Sequence, residues 1–308
     1  MPILRSTLIA LSKNHLLRHF CEHSRVGARL SSRFVAGLEI GDALRVAESL
    51  NEQGITVTLD SLGESVTSEA EARQAAAIYH QILYDLGERK LDANISVKLT
   101  QMGLAFSPEL AEELTEGLVE HARATDSFVR IDMEESALTQ ITLDIVRRLH
   151  ARPEFSDSVG TVIQASLRRS RGDIEQLLAK GIRIRLCKGA YLEPSSVAFQ
   201  RKTEVDENYI RLSCILLESQ FFHGLATHDE AMIAAAKSYA AQHGIEPGHF
   251  EFQMLYGIRR SLHRRLVQEG YNVRVYVPFG RAWYPYFMRR LAERPANLLF
   301  LAKNLFRS

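Results

Sequence analysis

The chain has 308 residues, 46% of them hydrophobic and 24% charged, with a formal net charge of +1. That balance excludes a disordered polyelectrolyte and gives no overall field to draw in nucleic acid. Cys21, Cys187 and Cys214 are odd in number and far apart, which excludes a disulfide framework and a Cys-x-x-Cys metal pair.

Residues 1–50 read as a helical segment. Leu4, Leu8, Leu11 and Leu16 form one stripe, and Leu44, Ala47, Glu48 and Leu50 fit another. From Ile55 the pattern changes to short strand-like runs separated by longer helical ones. The runs are ITVTLD, NISVKL, FVRIDM, TVIQAS, IRIRLC, HGLATH, FEFQML and VRVYVP. Between the second and third, Ser107 is placed to cap a helix whose first position is Pro108. The last helical stretch is WYPYFMRRLAER. Eight strand–helix units over residues 51–308 predict an α/β protein, a (β/α)8 barrel of the TIM type preceded by N-terminal helices. A doubly wound sheet is the rival, but no G-x-G-x-x-G follows the first strand.

Alternation within the runs separates two faces. Ile55, Val57 and Leu59, or Ile182, Ile184 and Leu186, should pack against helices. The other face should look into the barrel. At the C-terminal strand ends it carries Asp60, Lys98, Asp132, Gln164, Arg185, His228, Gln253 and Tyr276. A polar side chain at nearly every strand end is a lined pocket rather than an apolar plug, and that end is where barrel enzymes work. One step deeper, Arg130, Arg183, Arg274 and Glu251 are expected to satisfy one another near the floor.

Lys98, Asp132 and Arg185 end neighbouring strands and face one axis, so the carboxylate would hold both cations. Such a set suits an anionic substrate or an electron-rich cofactor atom. After the fifth strand, KGAYLEP brings small residues at Gly189 and Ala190, where a flat or phosphorylated ligand can approach backbone; an ordinary βα turn has the same composition. Thr227 and His228 end the sixth strand. A single histidine at the rim, with no H-x-H or H-E-x-x-H, argues against a metal site. In the last stretch Tyr286, Arg290 and Glu293 share a helix face with Arg289 beside it. That pattern suits a solvated face, or a pair of guanidinium groups delivered to the mouth by the preceding YVPFG.

Taken together, RLCKGAYLEP, FEFQMLYG, YVPFG and YFMRRLAER, supported by SVKLTQMG, RIDMEES and LATHD, make the chain resemble the proline dehydrogenase family in its bacterial single-function form. The likeness spans roughly residues 59–295. It implies an FAD-dependent barrel that oxidises L-proline to Δ1-pyrroline-5-carboxylate and passes electrons to a membrane quinone. By motif position, it implies that Arg289, Arg290 and Lys98 hold the substrate carboxylate. Asp132 would position Lys98, and Glu293 would pair with the arginines. Tyr276, Leu255, Tyr191 and Tyr286 would close round the ring. Arg185 would face flavin N5, with Met133, Gln164, Lys188, Gly189, Ala190, Thr227 and His228 along the FAD. Cys187 departs from the aliphatic residue common at its position.

Two other classes stay open on sequence alone. A Schiff-base aldolase would use Lys98 as nucleophile and the two arginines for a phosphate. A non-catalytic barrel would bind a ligand without turnover. No apolar run reaches about 18 residues, so no membrane span is expected, and Arg5, Lys13 and Arg18 interrupt the start as no signal peptide would. A cytoplasmic protein follows, with the leucine stripe of the first 50 residues available for barrel packing, a homo-oligomer contact or peripheral membrane contact.

Overall fold

A computed structural model of the chain describes residues 33–63 and 66–293; from 289 onward the side chains lie outside that description. Leu4, Leu8, Leu11 and Leu16 lie outside the described residues. The described chain opens with helix α1 (Ile40–Asn51) and then alternates: β1 (Thr56–Ser61), α2 (Glu69–Arg89), β2 (Ala93–Val97), α3 (Pro108–Ala124), β3 (Val129–Ile131) and α4 (Thr139–His150). It continues with β4 (Val159–Gln164), α5 (Ser170–Leu178), β5 (Arg183–Cys187), α6 (Lys202–Glu218), β6 (His223–Ala226), α7 (Glu230–Gln242), β7 (Phe250–Leu255), α8 (Arg260–Gln268), β8 (Asn272–Phe279) and α9 (Trp283–Glu293).

The strands pair in chain order, all parallel, and β8 closes on β1, so the predicted (β/α)8 barrel is the fold. Register follows the alternation. Leu59 sits opposite Ile95 and Val277, Ile131 opposite Val97, and Leu186 opposite Leu225. These outward side chains are buried under the helices in one continuous core. At about 25 cal/mol per Å² of apolar surface, that shell is the main favourable term for folding. Ser107 accepts from the Leu110 amide, with Pro108 at the first position of α3, as expected.

Helix α1 buries Ala43, Leu44 and Ala47 in the same core and packs on β1 and β8. It fills the slot on the outer ring that a helix after β8 ordinarily fills. The helix that does follow β8 is therefore free to go elsewhere. In α9, Trp283, Tyr284, Tyr286, Phe287 and Met288 form a second apolar cluster with Phe34, Val35 and Leu62. Leu62 directly follows β1, and Ala36 donates its amide to the Pro278 carbonyl of β8, so α9 is held at the C-terminal ends of these strands. Among the described residues no helix is long and apolar enough to cross a membrane.

The barrel floor differs in detail from the expected four-residue network. Arg274 pairs with Glu251 at 2.9 Å and donates to the Val57 carbonyl. Arg183 instead stacks on Phe128 and Phe222, and Arg130 donates to the carbonyls of Thr161 and Arg183. Gln253 does not join the upper ring. Its amide reaches down to Glu251 at 2.5 Å, because Gly224 on the neighbouring strand leaves room there.

Candidate active site

At the C-terminal mouth, three strands converge on Asp132. Its Oδ1 accepts from Arg185 on β5 and from Ser96 on β2, the latter at 2.5 Å, and its Oδ2 accepts from the Tyr276 phenol on β8 at 3.0 Å. Arg185 also lies over the Tyr276 ring, 5.2 Å from its centre. The ion pair is nearly closed to solvent, with Asp132 at 8% and Arg185 at 7% exposure, while Tyr276 is half-buried beside it. Burial is the largest single influence and works against the Arg185 charge, but Asp132, with smaller contributions from Tyr276, Cys187 and Asp60, holds the guanidinium above its ordinary range. Burial, then Asp132, pushes the Tyr276 phenol well above its usual value, so it stays a donor.

Lys98 follows β2 directly. Its ammonium lies 3.3 Å from both oxygens of Asp60 on β1, a partner that the sequence did not assign to it. Asp60 is itself held by the Tyr79 hydroxyl of α2 at 3.2 Å. Asp60 was expected from sequence to line the pocket but was given no partner there, and Ser96 was not singled out at all. The signal existed: Ser96 lies two positions before Lys98 and so shares its inward face.

The remaining candidates form an arc over β4 to β7. Met133 is buried, and Gln164 donates to the Glu134 carbonyl at 2.8 Å. Gly189 has φ +102°, and a Cβ there would stand 2.2 Å from the Ser166 hydroxyl, so only glycine fits this turn. Ala190 and Tyr191 are exposed beyond it. The Lys188 ammonium turns to Asp206 at 2.5 Å and Asp229 at 3.0 Å, so its charge is already matched within the protein. Thr227 accepts from the Asp229 amide, and His228 Nε2 accepts from the Leu255 amide at 2.8 Å, which ties β6 to the end of β7. Cys187 is half-buried against the main core. Tyr286 is buried in α9; the side chains of Arg289, Arg290 and Glu293 lie outside the described residues. Among the described residues no group of three or more His, Cys, Asp or Glu side chains is placed to hold a metal ion.

The family model described as proline dehydrogenase matches residues 43–303. The chain belongs to the proline dehydrogenase family. Proline dehydrogenase 1 of Bacillus subtilis strain 168 is 41% identical over 307 residues, which are 99% of this chain and 100% of that one. The proline dehydrogenase of Deinococcus radiodurans is 39% identical over 283 residues, 90% of each chain. Among solved structures, proline utilization A from Bdellovibrio bacteriovorus inactivated by N-propargylglycine superposes with a TM-score of 0.83 at 26% identity. The match covers 97% of this chain and 37% of that larger one.

Proposed function

We propose that this protein oxidises L-proline to Δ1-pyrroline-5-carboxylate at the C-terminal mouth of its barrel, using FAD, and hands the electrons to a quinone. The observation that carries the proposal is the coincidence of full-length similarity to proline dehydrogenases with the Asp132–Arg185–Tyr276 cluster, built on a buried ion pair, at that mouth.

The residues fit a flavin on two grounds. The Gly189 turn, with Ser166 and Gln164 packed where a Cβ would stand, presents backbone rather than a side chain at this edge of the mouth. Arg185 supplies a buried, firmly charged donor, suited to an electron-rich ring atom. FAD when bound supplies the acceptor for the hydride that leaves the carbon next to the proline nitrogen. Arg185, Met133, Gln164, Gly189, Ala190, Thr227 and His228 would hold it, with Lys188 contributing as part of the turn because its ammonium is paired elsewhere.

Arg289, Arg290 and Lys98 would bind the carboxylate, and Glu293 would steady the arginines. Tyr276, Leu255, Tyr191 and Tyr286 would enclose the ring. Cations beside the substrate disfavour a protonated amine, which keeps the nitrogen lone pair free to assist hydride loss. A lipid-dissolved quinone would be met by peripheral contact at the membrane surface. Lys98 paired with Asp60 is stabilised as ammonium, which counts against a Schiff-base nucleophile.

The test is spectroscopic. Purified protein should be yellow, and L-proline without air should bleach it while D-proline does not. A colourless protein that borohydride links to a carbonyl substrate at Lys98 would overturn the proposal.

A further inference from the structure

We propose a second binding site on the outside of the barrel, between α1 and α8, for a small organic anion that has an apolar body and a hydroxyl or N–H donor. A cavity of about 320 Å³ opens there, a size typical of small-molecule sites. Its apolar wall is made by Val46 and Leu50 of α1, Ile55, and Val275 on the outer face of β8. Arg260 and Arg264 of α8 supply positive charge, and no carboxylate lines it among the described residues. A neighbouring cavity of about 510 Å³ shares Gly257 and Arg260 with it and adds Arg33 and Arg259, the last of these already paired with Glu230.

The polar fixture inside is His263. The residue is 3% exposed, it lines the cavity, and its Nε2 has no hydrogen-bond partner among the described residues. The other ring nitrogen bonds the Ile258 backbone. Burial, reinforced by Arg260, pushes the imidazole down to about 4, so near neutral pH the ring is uncharged. A neutral imidazole that donates to a carbonyl through one nitrogen presents a lone pair at the other. A buried acceptor left empty is costly, and a ligand donor would satisfy it. The arginines select the anion, the aliphatic wall selects the body, and His263 selects the donor.

Three probes separate these requirements by calorimetry on the full-length protein. They are para-hydroxyphenylpropionate, phenylpropionate without the hydroxyl, and para-hydroxyphenylethanol without the charge. The first should bind in the sub-millimolar range, and each of the others at least about tenfold more weakly. Ser49→Trp, on the exposed rim of α1, should abolish binding while the melting temperature holds, and Arg264→Glu should weaken it by about tenfold or more. Equal binding of the three probes, no binding at millimolar concentration, or unchanged affinity in Ser49→Trp would each overturn the proposal. None of these readouts depends on proline turnover.

Discussion

Tyr276 on β8 and Asp132 after β3 meet across the width of the barrel, phenol to carboxylate at 3.0 Å, while Arg185 holds the other oxygen of the same carboxylate. One acidic group thus fixes the direction of a cation and of an aromatic wall at once. Removing the hydroxyl alone, in Tyr276→Phe, leaves the ring under Arg185 and deletes one hydrogen bond to a charge. Such a bond contributes about 1.5–3 kcal/mol. We expect kcat/KM for proline to fall by about tenfold to a hundredfold, with flavin content unchanged, measured with an artificial electron acceptor. An unaltered kcat/KM would show that Asp132 needs no help from β8.

Because Arg185 and Asp132 are both largely withdrawn from water, deleting the carboxylate should expose a cost in stability as well as in rate. Asp132→Ala strands a buried guanidinium, a loss of about 3–5 kcal/mol. Arg185→Met in the same background should return part of it. Urea midpoints of the four members of this cycle measure the coupling. Additive losses would mean that the two side chains are independent.

Much of this site was legible in sequence, and the part that was not has a common cause. Alternation placed Lys98, Asp132, Arg185 and Tyr276 on inward faces, because period two is a local property of a strand. It could not say which inward residues touch, since that depends on how eight strands close. Hence Lys98 falls to Asp60 on the adjacent strand, and Gln253 bends toward Glu251 below. The placing of α1 between β8 and β1 is equally non-local: its stripe of Leu44 and Ala47 predicts a buried face but not the slot it fills. Gly189 was visible as a small residue; its positive φ and the Ser166 hydroxyl against it were not.

That glycine gives a sharp test of the turn's part in cofactor binding. In Gly189→Ala the new methyl would stand 2.2 Å from Ser166 Oγ on a backbone with φ +102°. The turn must shift, and left-handed backbone adds about 1–2 kcal/mol for a residue with a Cβ. We expect a folded protein with a normal far-ultraviolet spectrum that retains flavin at least about tenfold less well after dialysis. Full flavin retention would separate the turn from cofactor binding.

The pH dependence of stability should be governed on its acid side by a histidine far from the mouth. His223 at the start of β6 is 1% exposed. Its Nδ1 accepts the Ile184 amide at 3.0 Å, which leaves the proton on Nε2 to bond Ser219. Burial, then the charges of Arg130 and Arg183, push it from 6.5 down to about 3. Between those values the unfolded chain takes up a proton that the folded chain refuses. Stability is therefore complete above about 6.5 and falls as the pH drops toward about 3, by at most roughly 5 kcal/mol from this group. His263, pushed down to about 4, acts in the same direction. His223→Gln removes the titration while keeping an acceptor within reach of Ile184. Its urea midpoint should start lower than that of the parent and then change much less between neutral and mildly acid pH. Parallel decline of the two proteins would assign the acid sensitivity to other groups.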